Sequence, residues 1–163
     1  MAGTATLFVF CGKMAAGKTT LSIAIAEREQ AVRLVQDDWL ARLHPGEILD
    51  VADYIRCSRR LNEAMQPLIC ALLARGIPVV LDFPGNTKSQ RAWFRRLIDA
   101  SGASHELHFI DAPDDVCKRQ LRARSAGLPT GTPWTTDAEF DAVTAYFQPP
   151  SVDEGFHVVR HER

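Results

Sequence analysis

The sequence has no Cys-x-x-Cys pair, no long apolar run and no surplus of charge of either sign. Each absence excludes something. The four cysteines, Cys11, Cys57, Cys70 and Cys117, are too scattered for a zinc site or a disulfide framework and read as reduced thiols. Met1 to Thr6 has neither the basic nor the apolar region of a signal peptide, so the expected location is the cytoplasm. A bilayer span needs about 20 consecutive apolar residues, and the longest stretches here fall far short of that. Nineteen Lys plus Arg against twenty Asp plus Glu leave a net charge of −1. Nothing in that balance announces a basic face for duplex nucleic acid or a polybasic membrane anchor. The five histidines show no metal spacing, since His105 and His108 lie three apart on an expected strand and face opposite sides.

What is present is an ordinary globular composition, with 46% hydrophobic and 24% charged residues in a chain of 163. One domain over residues 1–163 is expected, and at this size folding buries roughly 70% of the unfolded surface. Short apolar runs alternate with helical patterns. Leu7 to Cys11 is β-rich and closes at Gly12; Val32 to Gln36, Ile77 to Asp82, His105 to Asp111 and Phe156 to His161 read as further strands. Helices are expected over Lys18 to Arg28, from about Asp50 to Arg75, over Ser89 to Ala100, and from Pro113 to about Ser125. Pro67 should kink or break the second of these. A Gly/Pro/Thr-rich loop follows, and Thr136-x-x-Glu139 matches a capping box that opens a helix to Phe147. Strands alternating with helices in this order argue for a parallel α/β sheet with helices on both faces.

The segment Gly12-Lys13-Met14-Ala15-Ala16-Gly17-Lys18-Thr19 fits Gly-x-x-x-x-Gly-Lys-[Ser/Thr] at every fixed position. Chance alone would produce such a string in about one chain in two hundred of this length. Its placement, after the first strand and opening the first helix, is the one the chemistry requires. Glycines let consecutive amides converge on phosphate oxygens, and the helix adds its positive end. Lys18 supplies a cation for the β- and γ-phosphates, Thr19 a hydroxyl for Mg²⁺, and Thr20 extends the phosphate contacts.

In an open parallel sheet, ligands bind beyond the carboxyl ends of the strands. Asp37 and Asp38 are expected at the end of the second strand, Asp82 at the end of the third and Asp111 at the end of the fourth. Phosphoryl transfer needs a group to take a hydroxyl proton and a metal anchor. Asp37 is the candidate base, although spacing does not choose firmly between it and Asp38. Asp82 is the candidate for the Mg²⁺ shell or a second substrate contact, and Asp111 is read as a helix cap. Lys118, Arg119, Arg122 and Arg124 crowd one helix end beside the Gly/Pro/Thr loop, read as a lid over about 125–136. Arg122 and Arg124 are expected to offset transition-state charge and Arg119 to contact the nucleotide. Asp38, Trp39, Arg42, Asn86 and Arg91 are positional candidates for substrate contacts, with His44, Tyr54 and Phe83 beside them.

Gly12 to Thr20, Gln36-Asp37-Asp38-Trp39, Leu81-Asp82 with Asn86 and Arg91, and the Arg119 to Arg124 cluster resemble the small P-loop kinases. The likeness is greatest to polynucleotide kinase, zeta toxin, chloramphenicol phosphotransferase and gluconate kinase. It implies a single P-loop NTPase domain with a five-stranded sheet of order 2-3-1-4-5. It also implies ATP with Mg²⁺, and transfer of the γ-phosphoryl to a hydroxyl. In the polynucleotide kinases an Asp-Asp-aromatic-Arg string follows the second strand and its first Asp is the base, which corresponds to Asp37. Leu40 stands where that string has Arg, and the sequence continues only briefly past the fifth strand. The leading expectation is an ATP-dependent kinase of a small-molecule alcohol. A kinase of nucleic-acid 5′-hydroxyls would need a basic groove that the net charge does not support. A nucleotide-dependent switch acting on a protein partner is the alternative outside that class. The motifs leave ATP against GTP open.

Overall fold

Strand β1 (Thr6–Gly12) is apolar on both of its faces, as a strand covered by helices on either side must be. The computed structural model describes residues 5–126 and 136–163, so most of the expected lid, 127–135, lies outside the described residues. After β1 come α1 (Lys18–Glu29), β2 (Val32–Val35), α2 (Gln36–Leu43), α3 (Val51–Ala74) and β3 (Val79–Asp82). They are followed by α4 (Lys88–Ser101), β4 (Ser104–Asp111), α5 (Asp114–Ala126), α6 (Asp137–Thr144) and β5 (Val158–Glu162). The five strands are all parallel in the order β2-β3-β1-β4-β5, which agrees with the order implied by the resemblance.

The pleat of β1 divides the core. Leu7, Val9 and Cys11 face α3 and α4, where Ile69, Leu73, Phe94 and Leu97 are fully buried. Phe8 and Phe10 face the other way, onto Ile25 of α1. On that same side Ile110 packs with Cys117 and Leu121 of α5 and Phe140 of α6. Burying a side chain of this size contributes about 1.5–3 kcal/mol. The helices are therefore fixed to the sheet, and their ends sit where the strands end.

Two expectations needed revision. Asp37 and Asp38 do not end a strand: Gln36 begins α2 directly after Val35, and both carboxylates lie in its first turn, where they complement the helix dipole. Pro67 does not interrupt α3, which runs unbroken for 24 residues. Pro67 and Glu63, whose carbonyl loses its intrahelical donor, are both on the exposed side, so water can satisfy that oxygen. No helix among the described residues is long and apolar enough to cross a membrane.

Gly85, just past β3, is held by close packing. A Cβ there would come within 2.3 Å of the Phe10 carbonyl oxygen and 2.6 Å of the Phe94 ring. Gly85→Ala should therefore lower unfolding free energy by about 1–3 kcal/mol. A denaturant midpoint equal to that of the parent protein would show that the turn gives way freely.

Candidate functional site

The turn between β1 and α1 is shaped by two left-handed residues, Ala15 (φ 62°) and Gly17 (φ 108°). Gly17 is the N-cap residue of α1 and offers no side chain to the helix end. Among the described helices, α1 alone has neither a side-chain cap nor an acidic residue in its first turn. By contrast α3, α4 and α6 are capped by Asp50, Thr87 and Thr136. Inside the turn the Ala16 amide donates to the Lys13 carbonyl at 3.0 Å, and the Leu21 amide to that of Gly17 at 3.2 Å. The amides of Lys18, Thr19 and Thr20 find no acceptor among the described residues. Unpaired amides at a positive helix end form an anion site.

Asn86 holds the entry to this turn, because its Oδ1 accepts from the Gly12 amide at 2.9 Å. Expected as a substrate contact, it positions the phosphate loop. The Lys13 side chain is spent outside, on Asp114 at 2.7 Å and over the Phe147 ring. Met14 and Ala16 pack with Ile110 and Phe140, anchoring the loop from below. Arg163 was not foreseen at this site; its guanidinium lies 3.2–3.4 Å from where a Gly17 Cβ would be. Nearly 150 positions separate it from that glycine, and no local pattern links them.

Lys18 makes no side-chain hydrogen bond or ion pair among the described residues. Burial pushes its ammonium below the ordinary lysine range, and the carboxylates of Asp82 and Asp37 push back only in part. Such a cation is poised for an anion it does not yet have. Asp37 is raised above the usual carboxylate range by desolvation in the cleft; Lys18 opposes this, while Asp82 and Asp38 add to it. Parallel pairing explains the grouping, since Val35, just before α2, sits beside Asp82 in the β2–β3 register.

Asp82 is 7% exposed and its Oδ2 accepts from Ser22 Oγ and from Arg33 Nη2, both at 2.9 Å. The single Ser22 hydroxyl proton is shared with the Thr19 carbonyl, also at 2.9 Å, which ties the metal candidates Thr19 and Asp82 together. The donor set suits Mg²⁺: hard oxygens from one hydroxyl and one carboxylate, the remaining ligands of such an ion being phosphate and water oxygens. No cluster of three or more His, Cys, Asp or Glu that could hold a metal exists among the described residues, so no all-protein cage competes with that arrangement.

The two aspartates of α2 diverge. Asp37 lines a crevice of about 340 Å³ with Leu40, Ala41, His44, Pro45, Gly46, Ile48 and Tyr54. Asp38, Trp39 and Arg42 line a separate hollow of about 260 Å³ along β2, with Arg33, Leu34 and Val35. The three substrate candidates on that side therefore face away from the Asp37 crevice. The separation follows from the helix, in which consecutive residues point in different directions.

Arg91 departs furthest from expectation. It is 0% exposed, and its guanidinium donates to both carboxylate oxygens of Glu154, at 2.7 and 3.1 Å. It also donates to the carbonyls of Gly85, Gln148 and Pro149. With its fork spent in this way, it clamps the fold and does not hold substrate. Burial raises the Glu154 carboxyl, but the Arg91 fork and the Ser151 amide outweigh it and hold the group below its ordinary range. Of the other arginines, Arg119 reaches Asp115 at 3.7 Å within α5, and Arg122 pairs with Asp137 at the start of α6. Arg124 is exposed.

The AAA domain family matches residues 7–150. No curated protein matches the sequence. Among solved structures, the APS kinase CysC of Mycobacterium tuberculosis, in complex with AMPPNP and APS, aligns with a TM-score of 0.64. Its identity is 19%, over 98% of this chain and 88% of that one. A shikimate kinase from Bacteroides thetaiotaomicron aligns at 0.61 with 20% identity, over 97% and 87% of the two chains. A gluconokinase from Sinorhizobium meliloti aligns at 0.60 with 15% identity, over 98% and 83%. At such identities the likeness speaks for the fold. With a matching family over most of its length and a phosphate loop at the expected place in the sheet, the chain belongs to the AAA domain family and has the fold of the small P-loop kinases.

Proposed function

We propose that this protein is a phosphotransferase that moves the γ-phosphoryl of ATP to a hydroxyl of a small molecule. The observation that carries the reading is one juxtaposition. An uncapped helix end with an unpartnered Lys18 lies within electrostatic reach of Asp37, which lines a crevice large enough for a metabolite. The kinase names of the structural neighbours agree with it.

In this reading the free amides of the loop, those of Lys18, Thr19 and Thr20 among them, cradle the phosphates, and Lys18 neutralises charge on the β- and γ-oxygens. Thr19 and Asp82 would hold Mg²⁺, which supplies charge neutralisation on the phosphates when bound. Asp37 takes the proton of the alcohol as its oxygen attacks the γ-phosphorus. The bond from that phosphorus to the bridging oxygen breaks, and ADP leaves with the bond's electron pair. Arg122 and Arg124 offset charge on the moving group, with Arg122 exchanging Asp137 for phosphate.

The test is a panel of metabolites and antibiotics incubated with γ-labelled ATP and magnesium. Label should appear on a new organic molecule, and its appearance should require magnesium. Label found only as inorganic phosphate, at a rate set by an added protein and by no alcohol, would replace this reading with that of a switch.

A further inference from the structure

The crevice beside Asp37 has a one-sided polarity. Its walls are apolar, from Leu40, Ala41, Pro45 and Ile48, and its lining includes no lysine or arginine. Its polar side chains offer mainly hydrogen-bond acceptors. Asp37 presents a carboxylate. The Tyr54 hydroxyl gives its proton to Gln36 Oε1 at 2.8 Å, which leaves its oxygen lone pairs. His44 Nδ1 lies 2.9 Å from Glu47, and in the neutral ring this bond makes Nδ1 the donor and leaves Nε2 as an acceptor.

The arginines that could have reversed this balance are engaged elsewhere. Arg33 is paired with Asp82, Arg91 with Glu154, and Arg42 lines the other hollow. Lys18, the cation that acts on Asp37, belongs to the phosphate loop and is not part of the crevice lining. A carboxylate or phosphate entering here would meet Asp37 and the Glu47 side of His44 with no lysine or arginine in the lining to receive it.

We infer that the crevice takes an alcohol with an apolar body and no negative charge, neutral or cationic, whose O–H and N–H groups satisfy these acceptors. The inference rests on the phosphotransferase reading for its catalytic meaning, but the binding preference can be measured alone. Three matched aryl carbinols make the comparison: 2-amino-1-phenylethanol (cationic), 1-phenylethane-1,2-diol (neutral) and mandelate (anionic). Each is titrated into the whole protein, with NMR shifts of the Ala41 and Ile48 methyls locating the site.

The amino alcohol should bind at least ~10-fold more tightly than mandelate, with the diol between. Ala41→Arg, at an exposed helical position that tolerates arginine, should bring mandelate to the front. Mandelate ranking first in the parent protein, or no shift with any of the three, overturns the inference. ATP binding is measured separately by calorimetry. A protein that takes up ATP but fails the ranking loses only the substrate class; one that binds no triphosphate loses the phosphotransferase reading, whatever the crevice accepts.

Discussion

Lys18→Ala should leave a folded protein in which phosphoryl transfer falls by about 10³-fold or more. The expectation of an intact fold follows from what Lys18 lacks: no hydrogen bond or ion pair in the described structure depends on it. Burial also works against its charge, so deleting the ammonium removes an unfavourable group. Thermal stability should accordingly match or slightly exceed that of the parent protein. Turnover should collapse because the loop amides can still gather phosphate oxygens, while the charge building on the γ-phosphoryl loses its mobile counter-ion. Calorimetry would separate the two effects, showing weaker heat with ATP. Turnover within a few-fold of the parent would mean that the phosphates lie somewhere other than this loop.

Asp37→Asn should lower kcat by about 10²–10⁴ while ATP binding persists. Asparagine keeps the shape of the first turn of α2 and cannot take a proton. The pH profile sharpens the test. Asp37 acts as a base only when ionised, and desolvation raises its pKa above the usual carboxylate range. In the parent enzyme, activity should therefore fall as pH drops through that raised value, above where an unperturbed aspartate would titrate. In the variant this acid limb should vanish from the residual rate. Asp38→Asn, on the other side of the helix, should keep both the rate and the limb. An unchanged limb in the Asp37 variant would move the proton to another group.

The strands and the phosphate loop were legible because both are local, whereas the strand order came from the resemblance alone. The loop is eight contiguous residues, and the apolar runs name the strands almost by themselves. The Asp37 side of the site was legible as a position and not as a geometry. A helix beginning directly after Val35, with no loop residues between, leaves no turn signal to read. Arg91 shows the opposite failure. A basic residue just after a strand-end turn suggests a ligand contact, yet its partner, Glu154, lies 63 residues further on. Asn86 fits the same account, since the Gly12 amide it holds is 74 positions earlier. Long-range pairing of polar groups has no period, and it is what separates a residue that holds the substrate from one that holds the fold.

The clamp around Arg91 bears on how this protein is made. Gln148 donates its amide to the Asn86 carbonyl, and Asn86 in turn fixes Gly12. Arg91 binds Gln148, Pro149 and Glu154 into the same knot. During synthesis the phosphate loop leaves the ribosome well before the residues that brace it. A nascent chain halted before Gln148 would carry the full motif without its brace, so competence for nucleotide waits for the segment from Gln148 to Glu154.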